Sequence, residues 1–406
     1  MASEEEYTNG QYVFKGEAMS TPTLEREILT EAIIEHCGER AATYDRENRF
    51  FSEDFEELRA AGYLKIAIPV ELGGMGYSLS DVVRQQQRLA YRAPATALAT
   101  NMHIYWTGVA ADMRRMGDNS LEWLLREAAA GEVFAAGHGE AGAELPLFLS
   151  TTRAERVDGG YRFHGHKIFG SLTPVWTRLG LHGMTADGQI VHAFMSRDTP
   201  GYTIKETWDT LGMRATRSDD TILDGAFVPD KYIARIVPAG GADLFVLSVF
   251  AWAEPTFSSV YVGLAQRAID LAVAGVKKRT SLALSRSMAY HPEIQHLIAE
   301  MQMEMESMGA HVDRTASDWS NGVDHGAAWP MKLVATKHHC VEGAKRIVDG
   351  AMTVSGGTGM FRTNELERLY RDVRCGGFHP ANSMLVHELV GKTILGIEMG
   401  EQPRWG

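Results

Sequence analysis

Thr151-Thr-Arg-Ala-Glu-Arg-Val157, Asp158-Gly159-Gly160 and Tyr161-Arg-Phe-His-Gly-His-Lys-Ile-Phe169 form the stretch that decides the fold class. Two runs of β character flank a turn in which glycine takes the positive φ that other residues avoid, which predicts a hairpin. Moving toward the C-terminus, short apolar runs predict further strands at Arg178 to His182, Gln189 to Met195 and Thr221 to Phe227. Both flanks of this β region read as helix. Before it, Ser52 is expected to cap a helix with Glu53 and Asp54 in the first turn and Gly62 at its end. Further helical stretches follow at Leu79 to about Ala93 and from Ala97 to Met116. Beyond it, periodic segments predict helices over about 244–279, 292–319, 327–354 and 381–396. The predicted fold is therefore mainly α with a central β domain. A helical domain spans 1–131, a β domain 132–238 and a C-terminal four-helix bundle 239–406.

Composition narrows the function. At about 150 residues per domain, 406 residues predict two to three domains. The chain is 45% hydrophobic and 23% charged, which excludes a disordered or fibrous protein. Its net charge of −12 argues against a nucleic-acid binder, since phosphate neutralisation needs a basic excess. Cys37, Cys340 and Cys375 form no CxxC pair, so a disulfide framework is not expected and a cytoplasmic location is. The acidic start Met1-Ala-Ser-Glu-Glu-Glu6 lacks the apolar core of a signal peptide. The most apolar run, Leu244 to Ala253, has about half the length of a membrane span, so a buried helix is expected instead. The Met-rich run Met301 to Met308 has helical spacing and reads as adaptable core or subunit interface.

Motifs exclude several chemistries. Neither GxSxG nor a P-loop occurs, and the adjacent His338, His339 and Cys340 cannot share one helix face as metal ligands. No metal site is expected. Ser355-Gly356-Gly357-Thr358-Gly359 follows a helix rather than a strand, so it is no Rossmann fingerprint, though its amides suit a phosphate-bearing group.

Taken in order, several segments resemble the acyl-CoA dehydrogenase superfamily over nearly the whole chain. They are Leu64 to Gly76 with its GG.G turn, Gly165 to Ser171, Leu211 to Arg214, Phe227-Val-Pro229, Gly263 to Asp270, and the pair Gly356-Gly-Thr-Gly359 with Arg371-Asp372. The resemblance implies a flavin-dependent oxidoreductase that holds FAD and forms a homodimer or homotetramer sharing FAD across a subunit interface. The substrate implied is an acyl-CoA-like or other small molecule, with an electron acceptor or a flavin reductase as partner.

Carried over residue by residue, the resemblance sets Phe169 and Ser171 beside the flavin ring. It makes Arg279 the arginine that reaches a neighbouring subunit's FAD, although Leu282 stands where an aromatic is expected. In the other flavin loop, Gly137-His-Gly-Glu-Ala-Gly142 keeps Glu140 and Gly142, while Gly139 replaces a threonine. Gly356, Gly357 and Gly359 belong to the same cofactor site. The usual catalytic glutamate position is occupied by Pro380. Some members place the base on an earlier helix, where the count falls on Ala253 with Glu254 next to it. Glu254 then serves only if the register shifts, and beside Pro255 it also reads as a carboxylate at a helix start. Flavin monooxygenases built on the same fold carry a histidine after an R..R segment, which Arg371 to Arg374 followed by His379 resembles. His103 resembles a second active-site histidine of such enzymes. The leading expectation is α,β-dehydrogenation of an acyl thioester with Glu254 as base. The alternative is a two-component monooxygenase using reduced flavin and O2, with His379 and His103 as acid/base groups.

Overall fold

The computed structural model describes residues 28–142 and 147–397, so the readings of Met1 to Glu6 lie outside it. Its N-terminal helices are α1 (Glu31–Glu47), α2 (Ser52–Ala61), α3 (Leu79–Arg92), α4 (Pro94–Arg115) and α5 (Glu122–Ala130). Local chemistry sets their ends. Ser78 and Asp81 form a reciprocal capping box on α3, and Pro94 opens α4. Gly62, at φ 86°, closes α2. Ser52 is not the cap expected of it. It is the first helical residue, preceded by Phe51, and no side chain caps that end.

Strands β1 (Phe134–Ala136), β2 (Arg153–Val157), β3 (Gly160–Lys167), β4 (Arg178–Met184), β5 (Gln189–Ser196), β6 (Tyr202–Lys205), β7 (Asp220–Pro229) and β8 (Ile233–Pro238) follow. They form one sheet in the order β6-β7-β3-β2-β4-β5-β8, with β1 beside β4. The β2–β3 hairpin pairs Val157 with Gly160 around Gly159, whose φ is 75°. Pairing is antiparallel except between β1 and β4 and between β2 and β4.

The C-terminal helices are α6 (Leu244–Lys278), α7 (Pro292–Ser320), α8 (Trp329–Ser355), α9 (Glu365–Arg374) and α10 (Ser383–Leu395). Helix α6 is the axis of the molecule and packs against α3, α4, α7, α8 and α9. Its most apolar window is 94% buried inside the protein, so its apolarity serves the core. Pro255 lies within this helix rather than at its start, so Glu254 is a mid-helix residue and not a cap. Met301, Met305 and Met308 are buried on α7, while Met303 is exposed. Cys37, Cys340 and Cys375 are all free.

Arg371 and Asp372, singled out as a sequence motif, latch the three layers together. The Arg371 guanidinium donates to both carboxylate oxygens of Asp45 on α1 at 2.8 and 2.6 Å, and to the Leu211 carbonyl of the β domain at 2.9 Å. Asp372 accepts the Met213 N–H at 2.6 Å. Gly212 fits between them because a Cβ there would lie 2.4 Å from the Arg371 carbonyl oxygen. We expect Gly212→Ala to lower stability by about 1–3 kcal/mol through overpacking, measured by urea denaturation. An unchanged midpoint would show that the latch is loose.

Candidate active site

A cleft of about 540 Å³ opens where the three layers meet. One wall is a single face of α6. Phe250, Ala253, Glu254 and Phe257 recur at helical spacing and all line it, so both Ala253 and Glu254 face the cleft and no register shift is needed. Leu98, Met102 and Tyr105 of α4 make a second wall. The β domain supplies Ile168, Phe169, Ser171 and Trp208, and the segment after α9 supplies Phe378, His379 and Pro380.

Glu254 is 1% exposed. Its Oε1 accepts the Ala381 N–H at 3.2 Å, while Oε2 is buried with no hydrogen-bond partner among the described residues. Burial pushes its proton affinity above the ordinary glutamate range, and the Lys337 cation and the Ala381 amide oppose that shift. Lys337 on α8 is buried as well. Its Nζ donates to the carbonyls of His379 and Ala381, both at 2.9 Å. Burial pushes this lysine toward its neutral form, and Glu254 opposes that.

His379, on the segment after α9, lines the same cleft beside α6. Its ring stacks on Phe257 at 5.1 Å between centroids, and its Nε2 pairs with the Tyr261 hydroxyl at 2.7 Å. The apolar surroundings and Lys337 push its pKa down to about 3, so the imidazole is neutral at physiological pH.

His103 is not brought to the cleft, which corrects the expectation of a second active-site histidine. Its Nδ1 accepts the Phe134 N–H at 3.0 Å, which leaves Nε2 to donate to the Leu64 carbonyl at 2.9 Å. Both ring nitrogens are therefore committed to backbone, and burial pushes the pKa down to about 4.

Of the expected flavin contacts, Phe169 and Ser171 share the cleft. Phe169 is held at φ 59°, stands 52% exposed and meets Trp208 edge-on at 5.9 Å. Ser171 Oγ joins Ser218 Oγ, which joins Thr216 Oγ1, each at 2.7 Å. Gly139 sits at the rim, where a Cβ would lie 2.6 Å from the Ile168 carbonyl oxygen. Gly142, at φ 78°, faces open space. This loop continues into 143–146, outside the described residues. An aromatic wall, apolar packing and a row of hydroxyls suit a flat ring with one polar edge, so these residues fit a flavin.

Arg279 and Gly356–Gly359 lie elsewhere. The Arg279 guanidinium donates to the Ser355 and Val354 carbonyls at 2.5 and 2.8 Å, beside Gly356 at φ 63°. Arg279 follows Glu254 by 25 positions along α6, which at 1.5 Å per residue is about 37 Å. An extended FAD in the cleft of the same chain does not span that distance.

Sequence reading missed two groups. His138 lines the cleft and stacks on His182 at 5.2 Å, and His182 stacks on His192 at 5.8 Å. Behind them the Lys167 ammonium pairs with Glu140, which also accepts hydrogen bonds from Ser150, Thr151 and Thr152. Burial and the nearby Lys167 push His138 and His182 well below the usual histidine range. Lys337 was missed because nothing local marks a lysine whose partner lies on another helix. Among the described residues no cluster of His, Cys, Asp or Glu could hold a metal ion.

Models of the acyl-CoA dehydrogenase N-terminal and C-terminal domains match residues 24–120 and 255–384. The chain belongs to the acyl-CoA dehydrogenase family. FAD is the cofactor of that family. A putative acyl-CoA dehydrogenase of Bacillus subtilis, YdbM, is 28% identical over 89% of this chain and 94% of its own. The amino sugar nitrososynthase DnmZ of Streptomyces peucetius is 30% identical over 83% of this chain and 85% of its own. A solved structure of KijD3 in complex with FMN and dTDP-3-amino-2,3,6-trideoxy-4-keto-3-methyl-D-glucose superposes with a TM-score of 0.81 at 26% identity. It covers 91% of this chain and 93% of that one.

His103→Leu strands a buried carbonyl and a buried N–H, so we expect it to cost about 2–4 kcal/mol at pH 7 by urea denaturation. Flavin content per folded molecule should not change. His103 has its native pKa near 4, below the unfolded value of 6.5, so its stabilisation is present above pH 6.5 and falls away toward pH 4. The stability gap between wild type and variant should narrow across that window. A variant as stable as wild type at pH 7 would contradict the structural role.

Proposed function

We propose that this flavoenzyme catalyses the α,β-dehydrogenation of an acyl thioester, with Glu254 as the base. The observation that carries this reading is Glu254 Oε2, a buried carboxyl oxygen without a partner among the described residues, on a residue of the apolar face that lines the cleft. A base that removes a weakly acidic α-proton gains from such desolvation, because its proton affinity moves toward working pH. FAD, when bound, supplies the acceptor for the hydride that leaves the β-carbon.

In this reading Glu254 takes the α-proton, and the Ala381 N–H holds its other oxygen in place. Leu98, Met102, Phe250 and Phe257 pack the acyl chain and exclude water. Ser171 presents a hydroxyl to the polar edge of the flavin, backed by Ser218 and Thr216, while Phe169 and Trp208 wall the ring. Arg279, Gly356, Gly357 and Gly359 serve the cofactor of a second copy. Exposed Leu282, Met360 and Phe361 near that end of the bundle give such a copy an apolar surface to cover.

A second reading rests on a specific likeness. DnmZ is an amino sugar nitrososynthase and is 30% identical. On that model the chain is a two-component monooxygenase, and the neutral imidazole of His379, steadied by Tyr261, handles the proton in the cleft.

One preparation separates the two. Under anaerobic conditions, an acyl-CoA of suitable chain length should bleach the flavin of the wild-type enzyme. Glu254→Gln should slow that bleaching by about 10²–10⁴-fold. The wild-type rate should rise with pH on a limb displaced above pH 4.5, because Glu254 must be ionised to act. Bleaching by no acyl-CoA, together with O2-dependent turnover of an amine that His379→Ala abolishes, would transfer the assignment to the second reading.

A further inference from the structure

Lys337 stands out among the groups that the proposed reaction does not use. It is a lysine with 2% exposure on α8, inside the bundle, and its ammonium lies behind the cleft wall that carries Glu254. Three contacts tie it to that carboxyl. Its Nζ donates to the carbonyls of His379 and Ala381, and the N–H of Ala381 donates to Glu254 Oε1. The short segment from His379 to Ala381 is thus clamped between a buried lysine and a buried carboxyl group. A neutral donor could hold two carbonyls, yet the site uses a charged one, and burying an ammonium is costly unless an anion answers it.

The other ionisable groups at the cleft do not supply that answer. His138 and His379 are held neutral. Glu140 is paired with Lys167. The Tyr105 hydroxyl is buried and held in its protonated form, and burial does the same to the Cys375 thiol and to the Tyr261 hydroxyl on α6 itself. Arg374 lines the cleft but is exposed to solvent. Glu342 and Lys345, on the same helix as Lys337, pair with each other.

We propose that Lys337 is a positioning residue whose charge favours the ionised form of Glu254 while its hydrogen bonds fix the 379–381 wall that aims it. The proposal rests on the reading of Glu254 as the base and goes beyond it, since it assigns the control of that base to a residue that touches neither substrate nor cofactor.

The test separates charge from scaffolding. Lys337→Gln keeps an amide donor for the two carbonyls and removes the charge, whereas Lys337→Met removes both. The Glu254 carboxyl is followed by isotope-edited infrared spectroscopy in flavin-free protein, with Glu254→Gln identifying its band. The flavin-loaded enzyme gives the pH profile of acyl-CoA-dependent bleaching. We expect Lys337→Gln to move the protonation midpoint of Glu254 upward by about one pH unit or more, with a fall of about tenfold in bleaching rate below that midpoint. Raising the pH should restore the rate. A midpoint equal to wild type in Lys337→Gln would overturn the proposal and leave Lys337 a scaffold only. If neither lysine variant folds, Glu254→Gln reports the same coupling in reverse. Without its anion Lys337 should lose its proton at lower pH, read from the side-chain NMR signal of labelled lysine, and an unmoved lysine midpoint would overturn the proposal equally. Failure of the base reading is distinct. Glu254→Gln would then bleach at the wild-type rate while the infrared midpoint still moved in Lys337→Gln.

Discussion

A carboxyl group inside an apolar helix has to be answered, and the centre of this molecule is arranged around that constraint. Helix α6 packs on helices from both helical layers, so almost every face of its first half is buried. Glu254 is the one acidic residue among the buried positions of that helix. One of its oxygens takes an N–H from the loop after α9, and the other is buried without a partner among the described residues. In a protein interior an unsatisfied charged oxygen is expensive, and it persists where it serves a purpose. Here the apolar face of α6 forms the cleft wall, and the same burial that makes Glu254 costly makes it a stronger base.

The cleft exists only if the layers stay in register, because each contributes one wall. The latch at Arg371 and Asp372 supplies that register. One guanidinium bridges Asp45 on α1 and the Leu211 carbonyl of the β domain, and the neighbouring carboxylate holds the Met213 amide. Leu211 and Met213 line the cleft themselves. A sequence motif that carries part of the family resemblance thus acts in this chain as the joint that assembles the pocket.

Much of this was legible in the sequence. Helices followed by strands followed by helices can be read from periodicity and turn chemistry, and the Asp158-Gly159-Gly160 turn sits where the hairpin closes. Phe169 and Ser171 were named and do line the cleft. Other features depend on contacts between distant segments and leave no local signal. Pro255 suggests a helix start, but proline is accommodated inside α6, so Glu254 moves from a supposed cap to the middle of a buried face. His103 carries no mark that distinguishes a ligand from a bridge between two backbone groups. Its role is fixed by Leu64 and Phe134, 39 and 31 positions away. Lys337 lies 83 positions from the carboxyl it answers, the difference between residues 337 and 254. Arg279, read as reaching a neighbouring subunit's FAD, and Gly356–Gly359 beside it lie at the far end of α6 from this chain's own cleft.

The central claim is that Glu254 removes a proton from carbon in the cleft, and proton exchange reads that step without requiring oxidation. An acyl-CoA thioester is incubated with the flavin-loaded enzyme in D2O, and loss of its α-hydrogen signal is followed by NMR. The account predicts exchange well above the uncatalysed rate for wild type and His379→Ala, and exchange at the background rate for Glu254→Gln. Exchange at the wild-type rate in Glu254→Gln would contradict it.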